Sequence, residues 1–366
     1  MKAFWLVAFL LLPLLGHLYV LRHLWQLLPL GAAGKWTVIG LCLAAFACFF
    51  ISFLFGSKMP LSVTTFFYEV GNSWIFILLY LVLAFAAIDL LRVAHLFPAA
   101  LLHHNVKVSI GLALLMSGLF TYGYLNYQHK VRQPLVLTTR KPLAKPLKLV
   151  LITDLHLGYH NRRAEFARWV DMINAEHPDL ILIGGDIIDI SIRPLLEENV
   201  AQEFHRFQAP VYACLGNHEY YSGSMVARNF YREAGITLLR DSCATFGNEV
   251  CIIGRDDRTN TARQSVKQLM QKADSSKYVI LLDHQPFHLE EAEQAGVDFQ
   301  LSGHTHYGQV WPISWITDAM YEDAFGPFVK GRTQYYVSSG MGIWGAKFRI
   351  GTHSEYVVAT LQQQKQ

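Results

Sequence analysis

The stretch that decides the fold is residues 147–156, Leu-Lys-Leu-Val-Leu-Ile-Thr-Asp-Leu-His, an apolar run that ends in Asp154 and His156. An apolar run of this length predicts a strand buried on both faces. Four later runs end in similar polar clusters: 180–183 before Gly-Gly-Asp186, 211–215 before Gly-Asn217-His218-Glu219, 278–282 before Asp-His284, and 299–302 before Gly-His304-Thr-His306. Helix-like segments separate several of these runs. Alternating strands and helices predict an α/β layered domain over residues 147–366.

The polar residues that end these runs are candidate metal ligands. They offer only carboxylate, amide and imidazole donors: Asp154, His156, Asp186, Asn217, His284, His304 and His306. Such mixed ligation suits manganese, iron or zinc in a hydrolytic centre. Seven ligands are too many for one tetrahedral ion, so we expect two divalent metal ions that share a carboxylate. Two ions about 3.5–4 Å apart activate a bridging hydroxide and clamp a phosphoryl group for in-line attack.

In their order along the chain, these blocks resemble the motifs of the calcineurin-like metallophosphoesterase family, over about residues 147–362. The resemblance implies a four-layer α/β/β/α sandwich with a two-metal centre. It assigns Asp154, His156 and His306 to the first metal, Asn217, His284 and His304 to the second, and Asp186 to both. It also implies that His218 is a catalytic histidine that stabilises charge on the phosphoryl group or protonates the leaving oxygen. A metal-ligand role for His218 is the less favoured alternative.

The closer resemblance is to a bacterial membrane-associated branch of that family, whose last histidine motif ends in Gly-Gly-Gln. Here the segment reads Tyr307-Gly308-Gln309, which places a bulkier side chain beside the site. Tyr307 and Tyr220, which follows the Asn217-His218 turn, are therefore candidate substrate contacts. Arg258 is a third, because its planar donors suit a second phosphate. The alternative for Arg258 is a surface ion-pair cluster.

Residues 1–129 differ in composition from the rest of the chain, because they contain only eight charged side chains. A membrane-spanning helix needs roughly 20 mostly apolar residues. Four stretches qualify, at about 3–21, 36–55, 74–91 and 108–125, so we expect an all-α transmembrane bundle of about four helices. The first stretch lacks a small-residue cleavage site, which favours a retained helix over a signal peptide.

Residues 130–146 are basic and contain three prolines, so we expect an extended linker. Its charges either lie against anionic headgroups or are simply solvated. With four spans, both termini share one side of the membrane, and this side carries the larger set of basic residues: Lys2, Lys58, Lys130, Arg132, Arg140, Lys141, Lys145 and Lys148. This excess predicts a catalytic domain on the cytoplasmic side of a bacterial inner membrane.

Composition and motifs together exclude some classes of function and favour one. A nucleic-acid partner is not expected, because the soluble part has no basic excess, and five scattered cysteines argue against a disulfide framework. The aromatic segment 307–334 either contacts acyl chains or the bilayer, or caps the sandwich. We expect a membrane-anchored, metal-dependent hydrolase of a phosphodiester or pyrophosphate bond, with membrane lipids and a phosphoester as partners.

The anchor and the aromatic segment favour a lipid-linked substrate, although an anchor can also serve location alone. Two alternatives stay open: an anchored phosphatase for a soluble phosphoester, and a non-catalytic membrane receptor or scaffold. The second predicts missing ligands, whereas all seven ligands and His218 are present.

Overall fold

The computed structural model describes the backbone of residues 2–364 and the side chains from residue 11 onward. The chain divides into two compact units. A helical unit runs to Tyr124 and includes Gly345–Lys347, and an α/β unit contains Leu125–Trp344 and the residues from Phe348. The division falls slightly before residue 129, where the sequence places it.

The helical unit is built from four helices: α1 (Lys2–Leu27), α2 (Ala32–Phe55), α3 (Leu61–Val93) and α4 (Val106–Gln128). Among the described residues, three segments are long and apolar enough to cross a membrane: Ala32–Lys58, Leu61–Val93 and Val106–Gln128. At 33 residues, α3 is longer than the predicted span 74–91. The predicted span 3–21 begins among residues whose side chains lie outside the described set. The length and apolar composition of these helices identify the chain as a membrane protein.

Close backbone contact and one partly exposed carboxylate join the helices of this unit. A Cβ on Gly71 of α3 would lie 2.2 Å from the backbone nitrogen of Phe49 in α2, so only glycine permits this approach. The carboxylate of Asp89 in α3 accepts a hydrogen bond from the Tyr19 hydroxyl at 2.7 Å and lies 3.0 Å from Nε2 of His23. Asp89 therefore connects α3 to α1.

Within the described residues, the α/β unit contains two six-stranded sheets. The strands are β1 (Lys130–Thr139), β2 (Leu147–Ile152), β3 (Leu180–Ile183), β4 (Val211–Ala213), β5 (Thr237–Leu238), β6 (Ser242–Phe246), β7 (Val250–Gly254), β8 (Tyr278–Leu282), β9 (Phe299–Ser302), β10 (Gly326–Lys330), β11 (Thr333–Val337) and β12 (Ser354–Gln363). The first sheet has the order β1-β12-β2-β3-β4-β5 and the second the order β10-β11-β9-β8-β7-β6.

Helices cover the outer face of each sheet. Those beside the first sheet are α5 (Arg163–Asn174), α6 (Arg193–Glu197), α7 (Ala201–Phe204), α8 (Asn217–Tyr221) and α9 (Ser224–Glu233), and those beside the second are α10 (Val266–Met270) and α11 (Glu290–Ala295). A further helix, α12 (Ile313–Met320), follows the turn after β9. Side chains alternate along each strand. In β2, Leu149 and Leu151 join the core between the sheets, whereas Val150 and Ile152 join the core under α5, α7 and α9. A third core lies under α10 and α11. The predicted four-layer α/β/β/α sandwich is confirmed.

The segment predicted as a linker, 130–146, is extended but is not a free connector. Its first ten residues form β1, which pairs in parallel with β12 along its whole length. Pro134 is tolerated because β1 lies at a sheet edge, where one side of the strand needs no N–H donor. Two of its basic side chains lie close to carboxylates, Arg132 to Glu176 at 2.7 Å and Lys145 to Asp179 at 2.9 Å. Lys148, in β2, lies 3.2 Å from Glu176.

Candidate metal centre

Every predicted metal ligand lies just beyond the carboxyl end of a strand. β2, β3 and β4 are mutually parallel, and so are β8 and β9, so their carboxyl ends lie at one edge of each sheet. The first sheet supplies Asp154 and His156 after β2, Asp186 after β3, and Asn217 after β4; the second supplies His284 after β8, and His304 and His306 after β9. The site is therefore assembled from both sheets.

Three of these residues form a first group, Asp154, His156 and His306, whose ligand atoms lie within 4.8 Å of one another. Nε2 of His306 lies 3.4 Å from Oδ1 of Asp154 and 3.0 Å from Nε2 of His156. Nε2 of His156 lies 3.7 Å from Oδ1 of Asp154. All three side chains are buried. Two imidazole nitrogens and a carboxylate oxygen that converge in this way suit one divalent cation.

A second group contains Asp186, His284 and His304. Nε2 of His284 lies 3.1 Å from Oδ2 of Asp186, and the rings of His284 and His304 are 5.3 Å apart. The same Oδ2 of Asp186 lies 3.7 Å from Nε2 of His156 in the first group. One carboxylate oxygen thus faces both groups, which is the position of a bridging ligand.

Buried atoms without partners show that the residues fit metal ions. Buried polar atoms are normally hydrogen-bonded. Among the described residues, Oδ1 of Asn217 is buried without a hydrogen-bond partner, and Nε2 of His284 meets only the carboxylate of Asp186, in poor hydrogen-bond geometry. Asn217 is the first residue of α8 and directly follows Gly216, where a Cβ would lie 2.1 Å from Oδ1 of Asp186. A third group, His156, Asp189 and His218, shares His156 with the first, so the predicted ligands themselves form two groups, which fit two divalent ions.

Outer hydrogen bonds orient the histidine ligands. Nδ1 of His284 is 2.8 Å from the carbonyl oxygen of Gly184, and Nδ1 of His156 is 3.2 Å from Oδ1 of Asp189. Such bonds leave Nε2 of each ring facing the metal position. The fully buried guanidinium of Arg349 donates from Nη1 to the carbonyl oxygen of His306 at 2.6 Å. Arg349 therefore fixes the turn that carries the last ligand.

Asp189 is a functional residue that the sequence analysis missed. Its Oδ1 lies 3.3 Å from Nδ1 of His218, in addition to its contact with His156. The His218 side chain is 14% exposed, and its ring stands perpendicular to that of His156 at 4.5 Å. The available signal was an aspartate three residues after Asp186, on the same turn. Asp189 holds His218 at the edge of the centre with Nε2 turned away from the carboxylate.

Glu219 is a second missed residue, and it joins two of the ligand turns. Its buried carboxylate accepts hydrogen bonds from the backbone N–H groups of Gly216 at 2.7 Å, Ile188 at 3.0 Å and Asp186 at 3.2 Å. Burial, and then the nearby Asp186, raise the pKa of Glu219 to about 7. The turn after β4 is thereby fixed against the turn after β3.

The backbone at the ligands is unusual. Five of them have a positive φ, a conformation that side chains other than glycine rarely adopt: Asp154 (54°), His156 (44°), Asp186 (52°), His304 (70°) and His306 (47°). Such conformations are retained at functional sites, where the surrounding structure enforces them. At Gly303 a Cβ would lie 2.2 Å from Oδ2 of Asp154, so this turn must pass very close to the first group.

The carboxylates make the centre favourable for positive charge. Burial lowers the pKa of His156, but Asp154 and Asp189 outweigh it and raise this pKa to about 10. Burial, and then the neighbouring His284, lower the pKa of His304 to about 4. His304 is therefore neutral near pH 7, which is the form that ligates a metal.

The three predicted substrate contacts differ in their surroundings. The Tyr220 hydroxyl donates to the Asp256 carboxylate at 2.8 Å and accepts from Arg240 at 3.0 Å. The Arg258 guanidinium lies 4.0 Å from the centre of the Phe287 ring. Tyr307 directly follows His306, and its ring stacks on Phe325 at 4.9 Å. All three stay predictions as substrate contacts, and Tyr220 already has partners for its hydroxyl.

Comparisons with known proteins agree with this geometry. The family model for calcineurin-like phosphoesterases matches residues 147–308. A protein from Helicobacter pylori named uncharacterized metallophosphoesterase is 32% identical over 270 residues, a match that covers 70% of this chain and 71% of that protein. A Danio rerio protein named transmembrane protein with metallophosphoesterase domain is 31% identical over 277 residues, with 69% of this chain and 62% of that protein covered. The matched span 147–308 contains all seven predicted ligands and His218.

Proposed function

The chain belongs to the calcineurin-like phosphoesterase family, and from this premise we propose that it is a membrane-anchored, two-metal hydrolase of phosphodiester or pyrophosphate bonds. One observation carries the proposal: Oδ2 of Asp186 faces two groups of buried carboxylate and imidazole ligands, at 3.1 Å from His284 and 3.7 Å from His156. Membership of the family supports the metal-dependent hydrolysis of a phosphoester.

In this proposal the two groups hold two divalent ions. Asp154, His156 and His306 would hold one ion, His284 and His304 with Asn217 would hold the other, and Asp186 would be shared. When bound, the ions supply a water molecule that is nucleophilic near neutral pH and compensate the charge of the phosphoryl oxygens. Oxygen and imidazole donors suit manganese, iron or zinc.

His218 is the proposed acid of the reaction. Oδ1 of Asp189 lies 3.3 Å from Nδ1 of His218, so the carboxylate occupies the Nδ1 side of the ring. Nε2 is then the atom that stabilises charge on the phosphoryl group or gives its proton to the leaving oxygen. A residue with this role must be reachable by substrate, and the partial exposure of His218 meets that need.

Arg258 and Tyr307 support a substrate with more than one anionic or bulky group. Among the described residues Arg258 has no ion-pair partner, whereas the neighbouring Arg255 is buried and pairs with Asp283 at 3.1 Å. Gln285, next to His284, donates to Asp257 at 2.7 Å and so ties the Arg258 loop to the metal-ligand loop. A guanidinium fixed there suits the second phosphate or the ester group of a diester or pyrophosphate.

The membrane helices support a lipid-linked substrate and an inner-membrane location with the α/β unit on the cytoplasmic side. The basic residues near the helix ends support that orientation. A reporter protein fused after Gln366 tests it: activity of a reporter that works only in the cytoplasm agrees with the proposal, and activity of a strictly periplasmic reporter contradicts it.

The proposed activity is tested with the purified full-length protein, loaded in turn with manganese, iron and zinc. The substrates are bis(p-nitrophenyl) phosphate, a soluble pyrophosphate diester, and a phospholipid and a lipid pyrophosphate in mixed micelles. We expect the unmodified protein to hydrolyse at least one of these substrates. Asp186→Asn and His304→Ala should abolish hydrolysis and lose bound metal. His288→Ala, a control at an exposed residue, should retain both.

Three results bear on the alternatives. Metal binding without hydrolysis of any substrate favours a non-catalytic receptor or scaffold. Equal rates on lipid and soluble substrates remove the lipid-linked part of the proposal. Unchanged activity and metal content in Asp186→Asn refute the metal centre itself.

A further inference from the structure

The helix α12 presents its apolar side chains outward. It buries two small polar residues, Ser314 and Thr317, at 7% and 8% exposure. Three of its four large apolar residues are exposed instead, Trp315 at 65%, Ile316 at 57% and Met320 at 59%, while Ile313 is half-buried. Surface helices normally place apolar residues toward the core and polar ones toward water. The burial of α12 is the reverse, which indicates that its outer surface meets an apolar environment.

Trp311 extends this surface, and the rest of the aromatic segment does not. Trp311 is 43% exposed, and its ring lies 5.2 Å from that of Trp315. In contrast, Tyr321 packs on Phe287 at 4.7 Å, and Phe325 packs on Tyr307. The expected cap on the sandwich is thus formed by Tyr321 and Phe325, whereas contact of the segment 307–334 with acyl chains or the bilayer stays a prediction. We call Trp311, Trp315, Ile316 and Met320 the α12 face.

The α12 face is fixed to the metal-ligand turn. A Cβ on Gly308, two residues after His306, would lie 2.3 Å from the backbone nitrogen of Ser314 in α12. The N–H of Trp311 donates to the carbonyl oxygen of Ile350 at 2.7 Å. Since Arg349 in turn holds the His306 carbonyl, the face and the ligand turn are parts of one packed segment.

The sequence connects the α/β unit almost directly to a membrane-spanning helix. The helix α4 ends at Gln128, and β1 begins at Lys130, so one residue separates a membrane-spanning helix from the first strand of the α/β unit. A tether this short keeps the domain at the bilayer at a high effective concentration. Tryptophan is also the residue most suited to the membrane–water interface, where its ring is apolar and its N–H is hydrated.

We propose that the α12 face inserts into the interfacial region of the phospholipid bilayer and holds the metal centre at the level of the lipid headgroups. Insertion removes four large apolar side chains from water, which is favourable in proportion to the apolar area buried. A phosphoester that is part of a lipid would then meet the centre without leaving the membrane. Only this last consequence rests on the proposed function; the insertion does not.

Spin labels on the full-length protein in nanodiscs of phosphatidylcholine and phosphatidylglycerol test the insertion. The background is Cys243→Ser, because Cys243 is partly exposed while the other four cysteines are buried. Labels are placed with Trp315→Cys and Met320→Cys, and the matched control is Ser275→Cys, an exposed residue of the loop that follows α10. Collision with apolar oxygen and with a water-soluble nickel complex is then measured at each label.

We expect labels at 315 and 320 to lose most of their broadening by nickel and to gain broadening by oxygen, with the opposite pattern at 275. The same pattern at all three positions overturns the proposal. Protection that disappears when labelled chains are diluted to one per nanodisc also overturns it, since a second copy then covers the face.

Hydrolysis by the double variant Trp315→Gln, Ile316→Gln separates this proposal from the proposed function. We expect the rate on soluble bis(p-nitrophenyl) phosphate to be unchanged and the rate on a phosphoester embedded in the nanodisc to be lost. Retention of both rates counts against the role of the face in substrate access. Absence of any hydrolysis by the unmodified protein refutes the proposed function, while the spin labels still decide the insertion.

Discussion

Replacement of Arg349 by methionine tests whether one buried guanidinium holds the metal-ligand turn in place. Arg349 is fully buried, and its guanidinium donates to three carbonyl oxygens and one hydroxyl. The carbonyl oxygens are those of His306 at 2.6 Å, Gly342 at 3.3 Å and Ser339, and the hydroxyl is that of Ser354 at 3.2 Å. Burial lowers the pKa of Arg349 to about 10, so it remains charged at neutral pH. Methionine preserves the length of the apolar stem and removes every donor.

The expected loss follows from the carbonyl groups left behind. A buried polar group without a partner costs about 1–3 kcal/mol, and at least two carbonyl oxygens, those of His306 and Ser339, lose a short bond. The guanidinium no longer has to be desolvated, which offsets part of this cost, so we expect a net loss of about 2–4 kcal/mol. In a domain of this size, such a loss lowers the midpoint of thermal unfolding by about 5–15 °C.

The assay is thermal unfolding of the full-length protein in detergent, with bound metal measured on the same samples. Arg349→Lys keeps the charge but not the planar donor fork, and it should lie between the wild type and Arg349→Met. Arg332→Met is the matched control, because Arg332 is exposed and should tolerate the change. If Arg349→Met unfolds within about 2 °C of the wild type and keeps its metal, the role assigned to Arg349 is refuted.

Three further predictions follow from the contacts described above. Asp189→Asn should lower both kcat, by about 10²-fold, and the affinity for metal, because Asp189 contacts His218 and the candidate ligand His156; steady-state kinetics and a metal content equal to those of the wild type contradict this. Gly71→Ala should lower the yield and thermal stability of the detergent-extracted protein, because its Cβ would lie 2.2 Å from the α2 backbone. Gly40→Ala is the control and should not lower them, because its Cβ would have no neighbour within 4 Å. Equal behaviour of the two variants contradicts the close helix contact. Removal of metal by a chelator should abolish hydrolysis by the wild type, and added manganese should restore it. Manganese should not restore hydrolysis in Asp186→Ala. Full activity of the chelated wild type excludes a metal-dependent reaction.

The layers of the sandwich were predictable because burial on both faces leaves a clear trace in the sequence. β2 is apolar at both Val150 and Leu151, since helices cover one face and the second sheet covers the other. The clustering of the candidate ligands was predictable for a related reason, because each apolar run ends at polar residues that are unsuited to a core. The ends of the strands, and the polar residues that follow them, are therefore encoded locally.

Features that depend on contacts distant in sequence were not predictable. β1 pairs with β12, more than two hundred residues later, and nothing near Pro134 reveals that partner. Asp189 follows β3 and His218 follows β4, and the two side chains meet only because these strands lie side by side in parallel. The exposure of Trp315 also depends on tertiary structure, because a tryptophan in a helix is as suited to a core as to a surface. Such properties follow from the assembled layers and not from the local pattern.

The division of the ligands between two sheets has a mechanical consequence. Asp154, Asp186 and Asn217 extend from the first sheet, whereas His284, His304 and His306 extend from the second. Ions bound by all of them would join positions about one hundred and fifty residues apart, from Asp154 to His306. Because the unfolded chain has no preformed site, their binding free energy would add to the stability of the folded state. The edge that carries the candidate metal site would then also be the edge at which the two sheets are held together.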